Sequence, residues 1–154
     1  MTRDLHNAYI QPFLAATLGP LLGPDTAAAS KAALEFVDGI VARPQEVSYE
    51  DRVRALGELA LMPPRTRVVF EAATRERDTS TFSERVKAVP ILAIQGTEDK
   101  MADGHKLKEV LDGLFGGQDY EWVWAERAGH APFLEEPGVH DEAVVKFVKR
   151  LTSV

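Results

Sequence analysis

Two residues suited to acid–base chemistry each come after a predicted strand. Asp99 follows the apolar run VPILAIQG (Val89 to Gly96), and His130 follows the aromatic-rich run YEWVWAE. Adjacent parallel strands lie about 4.8 Å apart and end at the same edge of a sheet, so two such loops can bring their side chains into contact. A carboxylate that holds one imidazole nitrogen leaves the other nitrogen free as a general base. We therefore predict that Asp99 orients His130 as a base.

Neighbouring groups offer alternatives to this pair. Glu98 and Asp103 could replace Asp99 as the acid, but we expect both to be solvated loop charges. A metal site is the rival chemistry, and the residues of suitable type are Asp99, Asp103, His105, His130, Glu135, Glu136, His140 and Asp141. None of them forms a recognised ligand motif such as His-Glu-x-x-His, so we predict no metal.

Strands and helices at fixed positions must hold these residues. The continuous apolar run VPILAIQG is typical of a strand buried on both faces of a parallel sheet. An amphipathic helix is predicted next, with an apolar face formed by Leu107, Val110, Leu111, Leu114 and Phe115. YEWVWAE is predicted to be a second strand, with Trp122 and Trp124 packing on one of its faces.

The C-terminal segment completes this unit. AGHAPFLEEPG is predicted to be a loop, and the last helix carries Val144, Phe147, Val148 and Leu151 on one face. Residues 89–152 therefore predict a β-α-β-α unit with two parallel strands and a right-handed crossover.

Residues 1–88 read as helices only. Asp25 or Thr26 is the predicted N-cap of one helix, with an apolar face formed by Ala29, Ala33, Phe36, Val37 and Ile40. Ser48 and Asp51 form a capping-box-like pair before a second helix, whose apolar face carries Val53, Leu56 and Ala60. RTRVVFEAATRER and DTSTFSERVKAV predict two more helices, and the segment from Tyr9 to Gly23 predicts a buried loop with a short helix.

Composition excludes several classes of function. The 154 residues are 45% apolar and 27% charged, as in a globular domain, and their formal net charge of -6 disfavours binding to nucleic acid. The longest apolar run is interrupted by Pro12, Gly19 and Pro20, so we expect neither a signal peptide nor a membrane span. There is no cysteine, which suits a reducing, cytoplasmic location and excludes disulfides and thiolate chemistry.

The segments VPILAIQGTED and AGHAPFLEEPGVHDEAVVKFV, with a helix between them, resemble the C-terminal end of the α/β-hydrolase superfamily. The most similar group is that of the esterases and cofactor-free haloperoxidase-like proteins. In this superfamily a Val-Pro-apolar strand ends in Gly-x-x-Asp, and the next strand ends in Gly-His before a Glu-x-Pro-like element. The resemblance implies that Asp99 is the acid and His130 the base of a catalytic triad. It also implies an incomplete α/β fold, with residues 1–88 as a helical cap and residues 89–154 as the C-terminal core segment.

One part of the superfamily pattern is missing. Its nucleophile is a serine in a Gly-x-Ser-x-Gly elbow that precedes the cap. The serines of this chain are Ser30, Ser48, Ser80, Ser83 and Ser153, and none has a glycine two positions away on both sides. We therefore expect this chain to correspond to the cap and the last two strands of such an enzyme, and to be inactive by itself.

Three functions remain open. The chain could be the part of a serine hydrolase that supplies the acid and the base for a small apolar ester, with no cofactor. It could be a truncated, non-catalytic protein that binds a partner or a ligand, or it could assemble with a second chain that supplies the elbow. Two parallel strands leave an apolar sheet edge unpaired, so we also expect self-association or pairing through that edge. Esterase, epoxide, lactone and haloperoxidase-like activities are not distinguished.

Overall fold

The structure, a computed structural model, describes residues 12–61, 66, 86 and 89–153. Their elements in chain order are α1 (Pro12–Leu22), α2 (Thr26–Ile40), α3 (Tyr49–Leu61), β1 (Ile91–Gly96), α4 (Gly104–Phe115), β2 (Tyr120–Ala125), α5 (Pro132–Glu135) and α6 (Pro137–Thr152). The two helices predicted between residues 65 and 88 fall, apart from 66 and 86, outside the described residues. No helix of the described part is long and apolar enough to cross a membrane.

The sheet has the predicted parallel topology. β1 and β2 pair in register from Ile91 opposite Tyr120 to Gly96 opposite Ala125, with α4 as the connection between them. α4 lies on the face that carries Trp124, since a Cβ atom on Gly104 would lie 2.8 Å from that indole ring. α6 lies on the opposite face, where Arg150 approaches Glu121 at 2.8 Å. The α/β class predicted from the sequence is therefore confirmed.

Burial of β1 differs from the prediction. Gln95 and Gly96 are buried, but Ile91 to Ile94 are only half-buried instead of being buried on both faces. In the part of the chain that the structure describes, the sheet has two strands, so each strand has an unpaired edge and one helix covers each face. This width is too small to enclose a strand.

Aromatic packing between α4 and β2 follows the predicted face. Trp122 and Trp124 lie on the same side of β2 with ring centroids 5.1 Å apart. The ring of His105, in the first turn of α4, packs 5.0 Å from that of Trp124. Of the apolar face predicted for α4, only Phe115 is fully buried, and its ring lies 6.1 Å from Tyr120.

The N-terminal helices confirm the predicted caps and correct the predicted faces. The Asp25 side chain accepts hydrogen bonds from two backbone N–H groups at the start of α2, and Ser48 accepts one from Asp51 at the start of α3. In α2 the buried residues are Ala32, Val37 and Gly39, and only Val37 belongs to the predicted face. The reason is the position of α1, because the ring of Phe13 occupies the space beside Gly39.

Three further segments differ from their predictions. In the segment from Tyr9 to Gly23, expected to contain a buried loop and a short helix, the described residues form the 11-residue helix α1 from Pro12 to Leu22, which continues through Pro20. α3 buries none of its residues, although an apolar face was predicted, and Val53 is 46% exposed. The predicted loop AGHAPFLEEPG contains α5, which has Pro132 in its first turn.

Candidate active site

Asp99 and His130 are in direct contact at the carboxyl edge of the sheet. Asp99 lies in the turn after β1, and His130 lies in the connection between β2 and α5. His130 Nδ1 is 2.8 Å from Asp99 Oδ2. The expected contact is therefore present, while the catalytic role of the two residues stays a prediction.

Hydrogen bonds hold both oxygens of the Asp99 carboxylate. Its side chain is only 1% exposed. Oδ1 accepts hydrogen bonds from the backbone N–H groups of Met101 and Ala102 at 2.7 and 3.1 Å, and Oδ2 accepts one from Gln95 Nε2 at 2.7 Å. Burial acts to raise the pKa of Asp99, but hydrogen bonds from His130 and Gln95 outweigh it and hold that pKa below its usual value. Asp99 is therefore ionised at neutral pH.

His130 presents its second nitrogen to the outside. An ionised carboxylate can only accept, so Nδ1 must carry the ring proton and Nε2 has the free lone pair when the ring is neutral. The His130 side chain is 50% exposed, and within the described residues Nε2 has no hydrogen-bond partner. The hydrogen bond to Asp99 raises the pKa of His130, against a smaller opposing effect of burial. The pair can take a proton from a hydroxyl group placed at Nε2.

The loops that carry the pair approach each other backbone to backbone. A Cβ atom at Gly96 would lie 2.1 Å from the carbonyl oxygen of Gly129, so only glycine fits at the end of β1. Glu98 N donates to the carbonyl of Ala128 at 2.9 Å. Arg127, with a left-handed φ of 63°, donates its N–H to the Thr97 hydroxyl at 3.0 Å.

A third segment, residues 40–43 after α2, is also part of the site. The carbonyl oxygen of Ile40 accepts hydrogen bonds from the backbone N–H groups of His130 and Ala131, at 2.7 and 3.2 Å. The Glu135 carboxylate accepts from the N–H groups of Ala42 and Arg43, and from that of Gly129 at 2.6 Å. Sequence reasoning missed this function of Glu135. Two of its three partners are 92 and 93 residues away, so no local pattern could have indicated it.

The alternative acids occupy other places. Glu98 is exposed and lies 4.0 Å from the Arg43 guanidinium. Asp103 is the N-cap of α4 and accepts a hydrogen bond from Lys106 N. His140 contacts Asp141 at 3.0 Å, at an exposed position in α6. Among the described residues, no three His, Asp or Glu side chains are grouped so that they could hold a metal ion.

The described surface has two cavities near the site, and one of them is lined by Asp99. The smaller, about 110 Å³, lies beside Asp99 and is lined partly by Thr97, His105 and Trp124. The larger, about 320 Å³, lies between the segment after α2 and α5, and its lining includes Arg43 and Leu134. Both are open to solvent on the described surface, so neither encloses a substrate by itself.

Two solved structures that align with this chain are described as esterases. The crystal structure of a protein assigned as an aryl esterase from Burkholderia cenocepacia aligns with a TM-score of 0.80 and 18% identity, over 99% of this chain and 53% of that chain. The esterase RhEst1 from Rhodococcus sp. ECU1013 aligns with a TM-score of 0.77 and 19% identity, over 97% of this chain and 52% of that chain. Neither a protein family nor a curated protein matches the sequence.

These alignments establish the fold. The chain has an α/β-hydrolase-like fold and spans about half the length of the two esterase structures. At such low identity the likeness extends to the course of the backbone and not to the chemistry, so function must be argued from the site itself.

Proposed function

We propose that this chain supplies the acid and the base of a serine esterase. Asp99 orients His130, and Nε2 of His130 takes the proton of a serine hydroxyl that attacks the carbonyl carbon of an ester. The observation that carries this proposal is the geometry of the pair. A fully hydrogen-bonded carboxylate, 1% exposed, holds Nδ1 at 2.8 Å, while the side chain of His130 is half exposed.

The serine itself is proposed to come from polypeptide other than the described residues. Each described serine hydroxyl donates elsewhere: Ser30 to the carbonyl of Thr26, Ser48 to Asp51, and Ser153 to the carbonyl of Lys149. No serine of the sequence stands in a Gly-x-Ser-x-Gly elbow. Since the two esterases are about twice as long as this chain, an elbow fits in the portion of their fold that the chain does not span.

In the proposed reaction His130 moves one proton twice. It removes the serine proton as the new C–O bond forms, and then gives it to the departing alcohol or phenol oxygen as the old ester bond breaks. Water repeats the sequence on the acyl-enzyme and releases the acid. Asp99 stays ionised throughout and stabilises the imidazolium. The substrate would be a small apolar ester under a cap formed by the N-terminal helices, with no cofactor in the reaction.

The natural protein, isolated from its source with an antibody against α6, provides the test. Phenyl acetate hydrolysis and labelling by a fluorophosphonate, which reacts with an activated serine, are measured with and without the chromosomal substitution His130→Ala. Removing the base of a serine hydrolase costs about 10⁶ in turnover, so we expect loss of both hydrolysis and labelling. His140→Ala is the matched control, because that histidine also contacts an aspartate, and it should leave both unchanged.

Two results would redirect the search. Hydrolysis that survives His130→Ala would remove this histidine from the reaction. If the isolated wild-type protein shows neither hydrolysis nor labelling, the non-catalytic alternative is favoured, and binding partners become the question.

A further inference from the structure

The Glu135 carboxylate joins two segments that are far apart in the sequence. Oε1 accepts from Ala42 N at 2.9 Å and from Arg43 N at 3.0 Å, and Oε2 accepts from Gly129 N at 2.6 Å and Ala42 N at 3.1 Å. Charge-assisted hydrogen bonds of this kind are shorter and about twice as strong as neutral ones. One side chain therefore holds the residue before His130 and the segment after α2 together.

The two segments are also joined at this junction by a backbone acceptor, the carbonyl oxygen of Ile40. The carbonyl of Ile40, the last residue of α2, has no partner within its own helix and receives the N–H groups of His130 and Ala131 instead. Gly129 lets the two backbones meet, since a Cβ atom there would lie 2.6 Å from Ala42 N. Hydrogen bonds therefore join the two segments through backbone N–H and carbonyl groups and through the Glu135 side chain. Glu135 supplies the only anionic group among these bonds.

We propose that Glu135 is a positioning residue for His130, fixing the backbone of residues 129–131 against residues 40–43 so that the imidazole stays on Asp99. This inference rests on the proposed function only in that the ring it positions is the proposed base. The ring is half exposed, and among the described residues its one hydrogen-bond partner is Asp99. Its position therefore depends on the backbone that carries it.

The role requires a carboxylate of this length. Glutamine has one acceptor oxygen, so its NH₂ group would face the N–H of either Gly129 or Arg43, each of which bonds to one oxygen only, and leave that N–H unpaired. Aspartate is one methylene shorter and cannot reach both segments at once. Glu135→Gln is therefore a nearly isosteric change that removes the bridge and keeps the size of the side chain.

The experiment compares Glu135→Gln with Glu126→Gln in the full 154-residue chain. Glu126 is exposed in the same connection and makes no hydrogen bond within the described structure, so it controls for the loss of one charge. Hydrogen exchange is measured at the amides of Ala42, Arg43 and Gly129, and the Nδ1 proton and pKa of His130 are followed by ¹⁵N NMR. We expect Glu135→Gln to accelerate exchange at all three amides at least about tenfold, or about 1.4 kcal/mol.

The histidine signals separate positioning from simple support of the fold. The hydrogen bond to Asp99 raises the pKa of His130, so displacement of the ring should lower that pKa. Loss of the Glu135 charge acts in the same direction, so faster exchange of the Nδ1 proton is the signal that reports displacement of the ring from Asp99. A lower melting temperature with unchanged His130 signals would overturn the proposal.

A second substitution, Gly129→Ala, perturbs the contact between residues 129–131 and 40–43 through the backbone instead of through Glu135. Gly129→Ala inserts a methyl group against Ala42 N without touching the carboxylate, and it should move the His130 signals in the same direction. If neither variant folds, native-state exchange of the wild-type chain decides. Ala42, Arg43 and Gly129 should open with one common free energy, and independent opening would refute the bridge. These readouts do not involve turnover, so failure of the esterase proposal would leave them interpretable.

Discussion

Asp99→Asn would move the ring proton of His130 to the wrong nitrogen. The Oδ1 position receives two backbone N–H groups, from Met101 and Ala102, so only the oxygen of an asparagine can occupy it. The amide NH₂ must then take the Oδ2 position, 2.8 Å from His130 Nδ1 and 2.7 Å from Gln95 Nε2, and the Gln95 amide has to turn over so that its oxygen accepts from that NH₂. Because NH₂ donates, Nδ1 has to accept, and the neutral ring carries its proton on Nε2. The imidazole keeps its place but loses the lone pair that a base needs.

The expected magnitudes follow from the kind of bond that is lost. A hydrogen bond to a charged group contributes about 1.5–3 kcal/mol, and the free energy of unfolding should fall by an amount of that order. The proposed ester hydrolysis by the natural protein should fall about 10⁴-fold in turnover, as for loss of the aspartate charge in a serine-protease triad. The pKa of His130 should fall, since its hydrogen bond to Asp99 is what raises it.

The assay is a long-range ¹H–¹⁵N correlation spectrum of the histidine-labelled chain, recorded above the pKa of His130. We expect the Nδ1–H tautomer in the wild type and the Nε2–H tautomer in Asp99→Asn. Asp141→Asn is the matched control, because Asp141 also contacts a histidine but its side chain is 75% exposed, and it should leave His130 unchanged. If the Asp99→Asn chain retains the proton on Nδ1, the carboxylate does not set the tautomer, and the orientation argument fails.

Three further outcomes are expected. The pKa of His130 is raised above 6.5 and that of Asp99 is lowered below 3.8, so the pair stabilises the fold fully between those two pH values. In urea titrations, the free energy of unfolding lost in His130→Gln should be largest in this range. The loss should shrink as the pH rises through the folded-state pKa of His130. Gly96→Ala should destabilise the fold by at least about 1–3 kcal/mol, because the added methyl group would meet backbone carbonyl oxygens at 2.1 and 2.2 Å. The control Gly113→Ala, in open space on a helix, should stabilise the fold by about 0.5–1 kcal/mol. Equal effects of the two substitutions in thermal melts would contradict this. The isolated chain should associate in sedimentation experiments, because each of the two described strands has an unpaired edge; a monomeric wild type would refute the expectation.

The sequence was most informative where periodicity and chemistry agreed. The stretch from Val89 to Gly96 predicted β1, the paired aromatic residues of YEWVWAE predicted β2, and the parallel pairing followed from the helix between them. The contact between Asp99 and His130 could be foreseen because the ends of parallel strands meet at one edge. These inferences needed only local pattern and one rule of topology.

Burial and the support of the site could not be read in the same way. An apolar face such as that of α3 indicates which side can be buried, but only the neighbouring elements determine whether it is, and α3 buries no residue in the described structure. Glu135 lies in the Glu-x-Pro-like element, but its bridging role gave no signal because its partners are backbone N–H groups, which every residue except proline has. The segment after α2 bonds to His130, Ala131 and Glu135 through main-chain groups, so its residue types carry no trace of these contacts.

The pH behaviour of the pair explains why such a backbone scaffold is needed. Asp99 and His130 stabilise the fold most when the ring is protonated, yet the proposed base works only when the ring is neutral. At the pH of the proposed catalysis the neutral ring keeps its hydrogen bond to Asp99 but loses the ion-pair attraction, so this contact holds the ring less strongly. The contacts that do not titrate with His130 remain: the close approach of Gly96 to Gly129, the Ile40 carbonyl, and the Glu135 bridge. The acid limb of kcat/KM should accordingly lie above 6.5 and report the protonation of His130 in an intact site, rather than the opening of its loop.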